Sequence, residues 1–199
     1  MFVCFEGVDG AGKTTQARML CQRLKQKGRA VEQVADPGTT QIGTAIRQIL
    51  LHNDAPITTM AQMLLFSAAR AELAEYIRTQ LQEGVVIICD RWLLSTLVYQ
   101  GEINKVPKNL ILDIYNATAD ITPDVCFLLD LSPEEARARV GTPSDRYERR
   151  CFEDWQRVCA AYHRDARPGL IAHRVHKIAA DKSPDEIHET VCEHLTGLW

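Results

Sequence analysis

Residues 2–15 read F-V-C-F-E-G-V-D-G-A-G-K-T-T. The apolar run Phe2–Phe5 predicts a buried strand. It breaks into Gly7-Val8-Asp9-Gly10-Ala11-Gly12-Lys13-Thr14, which fits G-x-x-x-x-G-K-[ST] at every fixed position. Ala17, Leu20, Cys21 and Leu24 then fall at i, i+3, i+4 and i+7, the stripe of an amphipathic helix. Strand, glycine loop and helix are the context that this motif needs, and together they predict a nucleotide-binding loop.

The chemistry explains the residue types. Gly7, Gly10 and Gly12 let the backbone close around an anion. The N–H groups of Val8, Asp9 and Ala11 and of the helix start through Thr15 then point at phosphate oxygens. Lys13 is placed to reach the β- and γ-phosphates, and the Thr14 hydroxyl to ligate Mg²⁺. The motif speaks for nucleotide binding and leaves open what becomes of the nucleotide.

The chain has 199 residues, of which 46% are hydrophobic, enough for one α/β domain with a substantial core. A formal net charge of −3 implies no general nucleic-acid-binding surface, so phosphate recognition must come from local arginines. The seven cysteines form no C-x-x-C, their number is odd and no signal peptide is visible. These features predict free thiols in a reducing cytoplasm. No apolar stretch approaches the ~18 residues that a membrane span needs.

Beyond the first helix, Lys27-Gly28 supplies a stop. Ala30–Ala35 reads as a second strand ending in the turn Asp36-Pro37-Gly38-Thr39-Thr40, and strand C-termini form the ligand crevice of open α/β sheets. Thr58 or Thr59 is placed to cap a long helix from about Met60 to Glu83. That helix begins apolar nearly all round, so it is expected to be deeply packed, with Met60, Met63 and Leu64 in the core. Arg70 beside this run is either paired, or facing an anion, or a surface arginine on the far side.

Val85–Cys89 is continuous and β-branched, as in a parallel sheet buried on both faces, and it ends in Asp90-Arg91. Asp90 is placed to bind a Mg²⁺ shell and Arg91 to clamp a phosphate; the alternative is a surface ion pair. Val125–Leu129 and Val175–Ala179 complete about five parallel strands with helices on both faces. Five arginines occupy positions 137–150, either a solvated helix face or a lid closing over triphosphate. His173, His176, His188 and His194 have no ligand-like spacing.

Six ordered blocks carry a family resemblance: the loop at 7–14, D-P-G-T-T at 36–40, L-L-F-S-A-A-R at 64–70, D-R-W at 90–92, S-T-L-V-Y-Q-G at 95–101 and D-R-Y-E at 145–148. The sequence resembles bacterial thymidylate kinases over essentially its whole length. The resemblance implies a P-loop NTPase fold in a single domain, 1–199, with a lid at about 134–148. It implies transfer of the γ-phosphoryl group of ATP to dTMP, with Mg²⁺, in a homodimer.

By that resemblance Phe66 stacks on thymine and Arg70 hydrogen-bonds its edge, with Thr96 and Gln100 as further base contacts. Tyr99 lies beneath the deoxyribose. Arg91 and Arg47 hold the monophosphate, and Asp36 faces the same crevice. Asp9 assists sugar and phosphate placement, and Tyr147 approaches from the lid. The loop at 8–11 carries no arginine, which in this family goes with a catalytic arginine from the lid: Arg137, Arg139 or Arg146. Arg137 and Arg139 sit two apart on a helix and cannot face the same way, so Arg137 and Arg146 are read as catalytic and Arg139 as a donor-nucleotide contact.

The chain departs from the family pattern in places. Thr39 stands where a second glycine is usual, Asp36 where glutamate is frequent, and Trp92 where a smaller aromatic or histidine is found. Two other readings remain: a kinase for another deoxynucleoside monophosphate, or a P-loop switch module. The latter should carry a guanine-reading N-K-x-D, and Asn104-Lys105-Val106-Pro107 lacks its aspartate.

Overall fold

In a computed structural model the chain is described over residues 1–52, 55–140 and 152–198. β1 (Phe2–Glu6) leads through the glycine loop into α1 (Lys13–Gln26), and β2 (Val31–Ala35) into α2 (Gln41–His52). The long α3 (Thr59–Gln82) precedes β3 (Val86–Asp90). A single turn, α4 (Leu93–Thr96), widens into a π-helix at Leu97–Ile103, and α5 (Lys108–Thr118) comes next. β4 (Val125–Asp130), α6 (Pro133–Val140), α7 (Phe152–Asp165), β5 (Arg174–Ala179) and α8 (Pro184–His194) complete the order.

The five strands are the expected ones and lie in one parallel sheet, ordered β2-β3-β1-β4-β5. The central strands β1, β3 and β4 are the apolar runs, because burial on both faces leaves no room for an alternating polar face. β2 and β5 keep polar residues because they are the edges. At β1's midpoint the register aligns Cys4 with Cys89 on one side and Cys126 on the other. Burial pushes the pKa of all three thiols up.

Three helix starts carry a side-chain cap. Thr58 accepts from the Ala61 N–H to start α3, and Ser183 with Glu186 forms a capping box at α8. Ser132 accepts from the Glu135 N–H ahead of α6. α1 differs: no side chain caps its start, and Gly12 stands there at φ 91. Its first N–H groups are therefore not taken by a side-chain cap, at the point where the loop cradle opens.

One expectation is corrected, and one set of alternatives is decided. Met63 is fully buried, but Met60 is 43% and Leu64 50% exposed, so α3 is not packed all round. They lie one turn apart on its outer face, and Ile42 and Ile49 of the adjacent α2 are also exposed. Arg70 is not a surface residue; it is 3% exposed. The π-helix had no counterpart in the sequence reading. Among the described residues no helix is long and apolar enough to cross a membrane.

Candidate active site

The C-terminal ends of β1, β2 and β3 open onto a cleft of about 670 Å³. Asp9, Gly10, Gly12, Lys13, Thr14 and Thr15 form one side, and Phe66, Arg70, Thr96, Tyr99 and Gln100 another. Asp36, Arg47, Asp90, Arg91 and Arg139 lie between or beside them. Thus both halves of the expected site share one cleft. Val8 and Ala11 are buried in the core instead, so their side chains pack while their backbones shape the loop.

The loop's glycines are required by geometry. A Cβ on Gly7 would stand 2.5 Å from the Leu129 carbonyl oxygen, and one on Gly10, at φ 82, 2.8 Å from that of Ala136. The loop is thereby pressed against β4's end and α6. Lys13 Nζ donates to the Val8 carbonyl at 2.8 Å. Burial, then the nearby Arg91 cation, lowers its pKa to about 8.

Thr14 Oγ1 donates to Asp90 Oδ2, while Asp90 Oδ1 is buried with no hydrogen-bond partner among the described residues. A hydroxyl and a half-used carboxylate beside a phosphate loop are an oxygen donor set suited to Mg²⁺.

Arg91 holds the middle of the site at φ 72, a left-handed backbone that costs a non-glycine residue on the order of 1–3 kcal/mol. Its Nη2 donates to Asp9 Oδ1. Its Nη1 faces the Gly7 carbonyl at 3.1 Å, Ser95 Oγ at 3.1 Å and Tyr162 OH at 3.0 Å. Tyr99 OH donates to the other Asp9 oxygen at 3.2 Å. Burial pulls the Arg91 pKa down, but Asp9 and the two tyrosines outweigh it and hold it raised.

On the base side, Arg70 Nε donates to Asp36 Oδ2 at 2.6 Å and Nη2 to Thr96 Oγ1 at 2.6 Å. Its guanidinium carbon lies 5.6 Å from the Trp92 ring centroid. Burial pushes the Asp36 pKa up against the pull of Arg70. The π-helix brings Tyr99 and Gln100 to the cleft together; the Gln100 Nε2 is buried without a partner among the described residues. Arg47 Nη1 donates to the Pro37 carbonyl at 2.8 Å. Thr39 takes φ 66, where glycine is usual, and its hydroxyl accepts from the Ala35 N–H at 2.9 Å.

Of the lid arginines, Arg139 lines the cleft and donates from Nη1 to the Ala180 carbonyl at 2.8 Å. Arg137 is exposed and does not line it. Arg146 and Tyr147 lie outside the described residues. Sequence reasoning gave no role to Glu6, Ser95 or Tyr162, which stand behind Arg91. The available signal was Glu6 itself, a carboxylate closing an apolar strand right before the loop.

A glycine phosphate loop at the end of the central strand of an all-parallel sheet, with a carboxylate on the adjacent strand, defines a P-loop nucleotide-binding protein. The comparisons narrow this. The thymidylate kinase family model matches residues 5–191. A thymidylate kinase of Chlorobaculum parvum is 38% identical, aligned over 100% of this chain and 96% of its own. One of Symbiobacterium thermophilum is 39% identical over 96% and 90%. The crystal structure of a thymidylate kinase from Ehrlichia chaffeensis superposes with a TM-score of 0.79 at 27% identity, covering 98% of each chain. The chain belongs to the thymidylate kinase family. Its reaction is accordingly the ATP-dependent phosphorylation of dTMP.

Proposed function

We propose that the loop side of the cleft holds the triphosphate of ATP, the Phe66–Gln100 side holds dTMP, and Arg91 stands at the acceptor phosphate between them. The supporting observation is one cleft lined by both sets of residues. Phosphoryl transfer needs little covalent work from the protein beyond positioning and charge stabilisation. The loop N–H groups and Lys13 take the β- and γ-phosphate charge. Arg91, with Arg47 beside it, fixes the attacking phosphate in line. Phe66 offers a stacking face, Arg70 and Thr96 read the base edge, and the unpartnered Gln100 Nε2 has a donor left for a base carbonyl. Tyr99 and Asp9 place the sugar. Arg139 is the described lid arginine that fits a donor-phosphate contact, with Arg146 as a second candidate.

Thr14 and Asp90 are the residues that would hold Mg²⁺, which would supply positive charge to offset that of the donor phosphates. The enzyme is read as one domain, residues 1–199, with the lid at about 134–148, working in the cytoplasm; six described cysteines are free thiols, which suits a reducing compartment.

An acceptor panel tests the assignment of the base side. A site built to hydrogen-bond one base edge rejects others strongly, whereas one methyl group is worth much less. With dTMP as reference, kcat/KM is expected to fall at least about 10²-fold for dCMP and dGMP and roughly tenfold for dUMP. Equal turnover of dTMP and dCMP in a coupled ADP-release assay would show the base contacts to be misassigned.

The exposed Ile42, Ile49, Met60 and Leu64 on α2 and α3 support a homodimer through this face. Leu64→Glu is then expected to convert a dimer into a 22.4 kDa monomer by sedimentation. Parent protein that already sediments as a monomer at micromolar concentration would sink the dimer.

A further inference from the structure

Glu6 is a fully buried carboxylate that the reaction scheme leaves unused. It ends β1, one residue before the phosphate loop, and all its hydrogen bonds run toward the far side of the site. Oε1 accepts from the Trp92 N–H at 2.7 Å and the Ser95 N–H at 3.2 Å. Oε2 accepts from the Ser95 hydroxyl at 2.6 Å. Two backbone donors and one hydroxyl donor thus fix the start of α4 onto the end of β1.

The direction of these bonds matters. Burial pushes the Glu6 pKa up, against the pull of the Ser95 hydroxyl, the Arg91 cation and the two backbone N–H groups, all of which favour the carboxylate. As a carboxylate it only accepts, so the Ser95 proton points at Glu6. Both Ser95 lone pairs then face the other way, toward Arg91 Nη1 at 3.1 Å and Tyr162 OH at 3.0 Å. Tyr162, donating to Ser95, is left to accept from Arg91 Nη1 at 3.0 Å. The two Nη1 protons therefore meet only acceptors: Ser95, Tyr162 and the Gly7 carbonyl. Arg91 sits at φ 72, a conformation that the backbone does not favour unaided, so it persists because these partners hold it.

We propose that Glu6 is the positioning residue of Arg91, setting through Ser95 the proton order that keeps the guanidinium turned toward the acceptor phosphate. The inference rests on Arg91 being that phosphate's clamp. Glu6 touches no reacting atom.

Glu6→Gln keeps the shape and breaks the order. An amide nitrogen facing Ser95 must donate to Oγ, which turns the Ser95 proton onto Arg91 or Tyr162. An amide nitrogen facing the other way meets two backbone N–H donors. The first orientation displaces the Tyr162 proton from Ser95, and the second sets a donor against two donors; both break the order. Ser95→Ala removes the relay with less disturbance of the core and serves where Glu6→Gln folds poorly.

The test is steady-state kinetics of the full-length enzyme with dTMP and ATP varied separately. Both variants are expected to raise the KM for dTMP about tenfold while the KM for ATP stays within twofold of the parent, a split that general loosening of the core would not give. In an Arg91→Ala background neither substitution should change the dTMP KM further, because the group they position is gone. If Arg91→Ala raises the dTMP KM and Ser95→Ala does not, the positioning role is overturned. If both substrates' KM values rise together, Glu6 is only part of the core. If Arg91→Ala itself leaves the dTMP KM unchanged, the clamp reading fails first, and Glu6 loses its object with it.

Discussion

Lys13→Ala is expected to lower kcat/KM by about 10³-fold, the upper end for one lost donor to developing charge. Lys13 is 6% exposed and its side chain's only hydrogen bond among the described residues runs to the Val8 carbonyl, so its loss removes a cation that lines the cleft. Its pKa, lowered to about 8, gives the effect a pH signature. The ammonium form is the active one, so parent kcat/KM, which reports free enzyme, should fall as pH rises through about 8. Bound phosphate favours the cation, so kcat should hold to higher pH. The stability sign runs the other way. A lysine whose folded pKa lies below its unfolded one costs stability in full below the folded value, about 8 here, and that cost fades as pH rises from there to the unfolded value of 10.5. The Tm of Lys13→Ala should therefore not fall at pH 7. A variant with parent-like kcat/KM and normal circular dichroism would remove Lys13 from the mechanism.

Arg91→Ala is expected to cost about 10²–10³-fold in kcat/KM, most of it in the KM for dTMP. The substitution takes away the acceptor's cation and removes one donor each from the Asp9 carboxylate, the Gly7 carbonyl, Ser95 and Tyr162. The Tm should fall as well, unlike that of Lys13→Ala, because Arg91 is a hub of buried bonds. Arg91→Lys should recover little: an ammonium has three donors on one atom and cannot serve Asp9, Ser95, Tyr162 and a phosphate from a planar fork. Full activity in Arg91→Lys would show that charge alone suffices there.

The sheet was legible in the sequence because each of its central strands is an unbroken apolar run, and because the motif at 7–14 dictates a phosphate loop and a helix after β1. The cleft residues were legible where one residue type has one use: Lys13 and Thr14 in the loop, Phe66 and Arg70 in a block resembling a known family. Four things were not legible. The π-helix at Leu97–Ile103 shares its composition with an ordinary helix, and only the wider turn reveals it. The exposure of Met60 and Leu64 depends on what α2 covers, which periodicity along α3 alone does not contain. The support behind Arg91 joins residues 6, 95 and 162, and no spacing rule spans such separations. Arg139 rather than Arg137 reaches the cleft because α6 presses Arg139's side against Gly10, a contact that helical spacing could pose as a choice but not decide.

The row Cys89, Cys4 and Cys126 makes the middle of the sheet chemically observable. Thiols react as thiolates, and these three are sealed from solvent with their protons held on by burial. In register, the three project from one face of the sheet, so an electrophile meets them only after the helices covering that face have lifted. Cys192, partly exposed on α8, is within reach of reagent in the folded state, although burial raises its pKa as well, and it provides the contrast within the same molecule. The rate at which the inner thiols are alkylated is therefore a clock for the opening of the core between sheet and helices, built into the chain without any added label.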